Sequence, residues 1–355
     1  MRVVSVVGAR PQFIKLKPIH DALRDSGHEH VIIHTGQHYD PEMSDEMFSD
    51  MNLPEPNAHL GIGPDEPARQ VARMISALEA EIIKVSPDWV LVYGDTTTTM
   101  AGAIASSKLR VKTGHVEAGL RSYDPMMLEE VSRRISDRLC QVLFAPTKGA
   151  VSNLEREGLG ERARLVGDVM LDAFLGFSQK ASEIKFSEHI GIGKPFILAT
   201  VHRAENVDDP ENLAAILKGL QEAGSLMPVV FPVHPRTARR VEEHGLEGYL
   251  SAMKTIPPVS YLRNLSLLLD SDLVITDSGG LQKEAFFARK PCITLRGVTE
   301  WPETLEGGAN RLLPRGDGLA KTIRFIINNP PAIPEPSEFG SGRAARLIVE
   351  VMGET

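Results

Sequence analysis

The chain has 355 residues, a length that suggests two domains rather than one, and 42% hydrophobic residues supply sizeable cores. A net charge of −8 argues against nucleic acid or an anionic membrane as a general partner, though it leaves room for a local basic site for a small anion. The two cysteines, Cys140 and Cys292, lie far apart and outside any paired motif, which speaks against a disulfide scaffold or a cysteine zinc site and suits a reducing cytoplasm.

In chain order, MRVVSVVGARPQ is too short and too polar for a signal peptide and reads as a first strand. No apolar stretch approaches the ~20 residues of a membrane span. Strands are expected at RVVSVVG, HVIIHTG, DWVLVYGD, KTGHVEAG and VLFAPT, and again at FILATVHR, PVVFPVHP, MKTIPPVS, LVITDS and PCITLR. Their nearly continuous apolar runs suit strands covered on both faces. Amphipathic stretches such as FIKLKPIHDALRDS, with Pro18 a candidate kink, and PENLAAILKGLQEAG lie between them. The alternation predicts an α/β protein with parallel sheets and right-handed crossovers. Two Rossmann-like domains are expected, 1–169 and 170–340, with a last helix over 341–355 packing back on the first. The proline-rich stretch NNPPAIPEPSEFGSG precedes that helix. Ligands of such sheets bind beyond the carboxyl ends of the strands, so two facing domains predict a cleft.

The unusual residues fall at strand ends. In VVGARPQFIK a strand gives way near Pro11 to a helix whose free N–H groups, with Arg10 and Lys15 close by, suit an anion. Neither a Walker loop nor a GxGxxG fingerprint is present. In TDSGGLQKEAFF the small Ser278, Gly279 and Gly280 let backbone N–H groups approach a phosphate, and Glu284 falls within reach of ribose hydroxyls. The plainer reading is a tight turn with an Asp or Ser N-cap.

Asp95 in YGDTTTT, Glu117 in GHVEAGLR, and Glu129 and Glu130 in LEEVSRR form a carboxylate set. Crowding pushes the pKa values of such groups apart, so that one can give a proton and another take one. Arg121, Arg133 and Arg134 are candidates to hold the rest ionised. An i,i+4 pair of Glu129 with Arg133 is the plain alternative, which leaves Asp95 and Glu117 unexplained. Thr96–Thr99 exceed what one helix cap needs and read as a polar cleft wall. His202 in ATVHRAEN and His234 in FPVHPRT suit acid–base work or a cationic clamp on a leaving diphosphate, with a satisfied loop histidine as the alternative for each. His34 and His38 in HTGQH lack the glutamate of HExxH, and no metal site is expected.

Taken together in order, GARPQFIK, HTGQHYD, VLVYGDTTTTMAGA, GHVEAGLRS, LFAPT, GDVMLDA, HRAENVDDPENL, PVHPRT, TDSGGLQKEAFF, PCITLR and EFGSGRAARLI resemble the non-hydrolysing UDP-N-acetylglucosamine 2-epimerases over most of the chain. The resemblance implies two Rossmann-like domains in the glycosyltransferase-B arrangement with the active site between them. It implies inversion of C2: a base removes the C2 proton while UDP leaves C1, giving a 2-acetamidoglucal that is protonated on the opposite face. No nicotinamide or other cofactor is needed. By the same resemblance, Arg10 and the Ser278-Gly279-Gly280 turn bind the diphosphate, Glu284 the ribose, and His202 steadies the leaving UDP. Asp95, Glu117 and Glu129 handle protons, supported by Lys15 and Arg133. A cytoplasmic homodimer is expected, with a UDP-sugar as its partner.

Where the family's Pro-Glu-Glu-x-Asn-Arg stretch has Pro and Asn, this chain has Leu128 and Ser132, and HRAEN carries Ala204 where many bacterial members have arginine. GARPQ, AFFARKPC and TEW resemble the branch acting on UDP-2,3-diacetamido-2,3-dideoxy-glucuronate. The competing class is a UDP-sugar glycosyltransferase of the same fold, which needs no carboxylates on both sugar faces. A hydrolysing epimerase and a binding protein without turnover are the remaining readings.

Overall fold

The computed structural model describes residues 1–37 and 47–355. Its chain forms two compact units, unit 1 comprising Met1–Leu175 and Ser337–Thr355, and unit 2 comprising Gly176–Pro336. Among the described residues no helix is long and apolar enough to cross a membrane.

Unit 1 holds a seven-stranded sheet. Its strands are β1 (Arg2–Val7), β2 (Glu29–His34), β3 (Ala58–His59), β4 (Trp89–Tyr93), β5 (Lys112–Val116), β6 (Val142–Ala145) and β7 (Ala163–Leu165), in the order β3-β2-β1-β4-β5-β6-β7. Every described pairing is parallel, with Val3 opposite both His30 and Trp89. Helices on the faces explain why β4 is buried along its whole length. The helix Arg10–Asp25 begins with Pro11 in its first turn, runs through Pro18, and buries Phe13, Leu16, Ile19 and Leu23 at helical spacing. The last helix, Ala344–Glu354, packs on Arg10–Asp25. Its first turn is held by the Asp172 carboxylate, which accepts from the N–H groups of Ala344 (3.1 Å) and Ala345 (2.8 Å).

Unit 2 repeats the plan with six strands: β8 (Ile197–Thr200), β9 (Val229–Pro232), β10 (Lys254–Ile256), β11 (Leu273–Thr276), β12 (Cys292–Thr294) and β13 (Asn310–Leu312). Their order is β10-β9-β8-β11-β12-β13, again parallel throughout. The core joins Ile197, Ala199, Val229, Phe231 and Ile275 of the sheet to Leu213, Ile216, Leu217 and Leu220 of the helix Pro210–Gly224. In each sheet the strand order reverses beside the first strand, at β1/β4 and β8/β11. Those are the places where a parallel sheet opens to a ligand. The residues that follow β4 and β11 are Gly94-Asp95 and Asp277-Ser278. Cys140 and Cys292 are both buried and unbridged.

Candidate active site

Unit 1 gathers its charged residues around Gly94, which has φ +65°, a conformation that glycine adopts without strain. A Cβ placed there would lie 2.9 Å from Lys15 Nζ and 3.3 Å from Glu117 Oε1, so a side chain would displace the ammonium and crowd the carboxylate. Lys15 and Glu117 form a buried ion pair with each other. Removing one partner of such a pair costs about 3–5 kcal/mol, because the other charge is stranded away from water. Glu117 itself sits at φ +70°, a region that non-glycine residues seldom occupy.

Asp95 follows Gly94 and remains partly open, with 29% of its side chain exposed. Its Oδ2 accepts from Arg133 Nη2 at 2.6 Å and Nε at 3.1 Å. Arg133 Nη1 meanwhile binds Glu130 Oε2 at 3.1 Å. Burial alone would raise the pKa of Glu130, but hydrogen bonds from Ser122 and Arg134 and the charge of Arg133 hold it below the usual range. Glu130 is therefore a fixed anion that orients Arg133.

The i,i+4 pair of Glu129 with Arg133 does not form. Arg133 turns to Asp95 and Glu130 instead, and Glu129, half-buried in the first turn of the helix Leu128–Leu139, pairs with none of the described residues. Arg121 does not serve the carboxylate set either: it is sequestered with Asp137 and Glu157.

Arg10 opens the helix Arg10–Asp25, but the N–H groups of Gly8 (2.8 Å) and Ala9 (3.0 Å) already donate to Gln12 Oε1. Those two amides are therefore not open to an anion. The four threonines are also more structural than a cleft wall requires. Thr96 caps the helix Thr97–Leu109. Thr98 is fully buried and hydrogen-bonded to Thr35 and Gln37, both at 2.8 Å, and fully buried Thr99 donates to the carbonyl of Tyr93 at 2.5 Å. They lock neighbouring loops to the turn that presents Asp95.

His34 is buried, stacked on Phe13 and His59, and burial and then the His59 charge depress its pKa to about 4. His38 lies outside the described residues. No group of three or more metal-ligating side chains occurs among the described residues.

In unit 2, Ser278 is the N-cap of the helix Gly279–Phe287, its Oγ accepting from Leu281 N–H at 3.3 Å while its own proton stays available. Gly279 and Gly280 form the first helical turn and are partly exposed. Glu284, one turn further, is buried and lies beside the buried Tyr261, whose phenol is pushed well up by burial and by the Glu284 charge.

Asp277, which sequence reasoning offered only as a possible cap, is the organising group of this unit. It is wholly buried, and its Oδ2 accepts from the N–H groups of His202 (2.9 Å) and Arg203 (2.8 Å) and from Asn206 Nδ2 (3.0 Å). His202 Nδ1 lies 3.0 Å from its Oδ1. Burial would raise this carboxyl's pKa, but the His202 charge and these hydrogen bonds drive it far below the ordinary value. The arrangement sets Nδ1 of the His202 ring against a buried carboxylate, in a side chain that is 37% exposed. The His234 ring lies 5.4 Å from it; His234 caps the helix Pro235–Glu243, its Nδ1 accepting from Arg236 N–H at 3.2 Å. Both histidines thus have structural partners. Next to the glycine turn, Trp301 of TEW carries the Lys283 ammonium 3.6 Å over its ring.

Comparison with known proteins places this geometry. The model of the family described as UDP-N-acetylglucosamine 2-epimerase matches residues 21–353. The chain belongs to the UDP-N-acetylglucosamine 2-epimerase family. Epimerases are isomerases, and the relatives bear that out in name. A protein of Methanococcus maripaludis named as a homolog of UDP-N-acetylglucosamine 2-epimerase is 43% identical over 99% of both chains. The UDP-2,3-diacetamido-2,3-dideoxy-D-glucuronate 2-epimerase of Pseudomonas aeruginosa is 42% identical over the full length of both. Among solved structures, the UDP-GlcNAc 2-epimerase of Methanocaldococcus jannaschii in complex with UDP-GlcNAc and UDP superposes with a TM-score of 0.94 at 39% identity, covering all of both chains. The fold class of the family, two Rossmann-like α/β domains of the glycosyltransferase-B type, is that of this chain.

Proposed function

We propose that this chain is a non-hydrolysing 2-epimerase that interconverts UDP-GlcNAc and UDP-ManNAc. The observation that carries the reading is the convergence of Asp95–Arg133 and Lys15–Glu117 on Gly94 at the end of β4. Two carboxylates, each with its own cation and each in a different degree of contact with water, are what removal and return of a carbon-bound proton require.

In this reading one carboxylate takes the C2 proton, the C–H electrons form a C1–C2 double bond, and the C1–O bond breaks with its electron pair going to UDP. Re-addition follows protonation of C2 from the other face by a second acid. Asp95, Glu117 and Glu129 are the catalytic candidates. Lys15 and Arg133 support them as ion-pair partners. Within unit 2, which lies inside the stretch 170–340 expected as the UDP-binding domain, the Ser278-Gly279-Gly280 turn takes the diphosphate, and Arg10 of unit 1 is a further candidate for that role. Glu284 takes the ribose, and His202, steadied by Asp277, stabilises the departing UDP, with His234 beside it.

A second substrate has a specific observation in its favour. The 42% relative acts, by its name, on the diacetamido-glucuronate, and the chemistry at C1 and C2 would be unchanged. Incubating the enzyme with each sugar nucleotide in D₂O and following C2 by proton NMR tests both. The proposal expects deuterium at C2 of UDP-GlcNAc together with its epimer; exchange in the diacetamido-glucuronate alone would replace it with the second substrate. Absence of exchange in both would overturn it. A homodimer belongs to the same proposal, and sedimentation of the purified chain checks it.

A further inference from the structure

A second charged network lies behind the proton-transfer residues. His115 in β5 is fully buried; its Nδ1 is 2.7 Å from Asp137 Oδ1 and its Nε2 is 2.6 Å from the carbonyl oxygen of Gly94. A carboxylate and a peptide carbonyl both accept, so each ring nitrogen must donate, and the ring carries both protons. The charges around it agree. Arg121 binds Asp137 Oδ2 at 2.8 Å and pairs with Glu157 at 2.7 and 2.9 Å, so one guanidinium faces two carboxylates. A cationic His115 brings this group to neutrality. Asp137 also accepts from Gly119 N–H at 3.2 Å.

We propose that His115 is a positioning residue for epimerisation: an imidazolium, anchored by Asp137, that clamps the Gly94 carbonyl and thereby sets Asp95 against Arg133 and the Gly94 backbone against Lys15–Glu117. The N–H of Gly94 is bound to the Val116 carbonyl at 2.9 Å, so the turn is gripped on both sides. A neutral ring would leave either the carbonyl or the carboxylate facing a lone pair. The inference rests on the proton-transfer roles proposed for Asp95 and Glu117.

The test has two arms. In wild-type enzyme labelled with ¹⁵N in its histidine rings, one imidazole should show protons on both nitrogens at neutral pH, with slow solvent exchange because the ring is enclosed. A spectrum in which every buried ring has a bare nitrogen overturns the inference, and this arm needs no variant to fold. In His115→Gln, kcat on the sugar nucleotide that wild type turns over should fall by about tenfold or more while KM and UDP affinity stay within about threefold, the signature of a group whose effect is confined to the transition state. A merely structural histidine would lower thermal stability and leave kcat per folded molecule unchanged, and that result also overturns the inference. The two levels separate cleanly. If Asp95→Asn turns over at the wild-type rate, the proton-transfer reading falls; if Asp95→Asn is inactive and folded His115→Gln is not, only the role of His115 falls.

Discussion

The turns after β4 and β11 occupy the same place in their two sheets, and each presents an aspartate, yet the two carboxylates are used differently. Asp95 is partly exposed and bound to one arginine, with its remaining surface open to a reactant. Asp277 is buried completely; its Oδ2 is taken up by the backbone of His202 and Arg203 and the amide of Asn206, and its Oδ1 lies 3.0 Å from the His202 ring. The first keeps part of its surface in contact with solvent. The second is a buried brace beside the His202 ring. What separates them is solvent access and the number of donors, not position in the fold.

The largest effect should come from Asp95→Asn. On the proposed proton-transfer role of Asp95, turnover should drop about 10²–10⁴-fold while the melting temperature changes little. Wild-type turnover, or a variant that fails to fold, would erase the contrast with Asp277. Conversely, Asp277→Ala should cost about 3–5 kcal/mol of stability in urea unfolding, because several buried donors lose their acceptor at once. A loss under about 1 kcal/mol would show that the brace is dispensable.

Acid should separate the two regions next. In unit 1, burial and then the charge of a neighbouring histidine lower His30 to about 3, as the same two causes lower His34 to about 4. Both are neutral in the folded and unfolded chain above about pH 6.5, the unfolded value. As pH falls through that value the unfolded state takes up protons that the native state refuses, so stability is lost progressively down to about pH 4 and 3. At pH 5 each histidine should cost about 2 kcal/mol relative to pH 7.5. Asp277 behaves oppositely: its depressed pKa gives stability that is present above about pH 3.8 and lost only below it. Hydrogen exchange at pH 5 should therefore loosen unit 1 before unit 2, and the reverse order would count against this assignment.

A smaller change probes the threonine lock. Thr98→Val should cost about 1–2 kcal/mol, read as a lower urea midpoint, since Thr35 and Gln37 lose a buried partner.

Most of the fold was legible because buried parallel strands write themselves as unbroken apolar runs. All ten expected strands are present, from RVVSVVG to PCITLR. The three not foreseen, β3, β7 and β13, are two or three residues long, and Ala58–His59 or Arg164 give no apolar run to read. At the site, residue types at strand ends pointed to Asp95, Glu117 and His202, but pairing depends on side-chain direction, which spacing does not specify. Arg133 therefore chose Asp95 and Glu130 over Glu129, and Arg121 went to Asp137. The signal missed for His115 was a histidine two residues before Glu117 inside an otherwise buried strand. For Asp277 it was an acid directly after LVIT, where burial demands several donors.

The most direct test of the account follows the C1–O bond. A UDP-sugar carrying ¹⁸O in the bridge between C1 and the β-phosphorus is incubated with the enzyme, and the label is located by phosphorus NMR as the epimer forms. Elimination and re-addition of UDP predict that the label migrates into non-bridging positions of the β-phosphate while deuterium from D₂O enters C2. Epimer formation with the label still wholly in the bridge would contradict it.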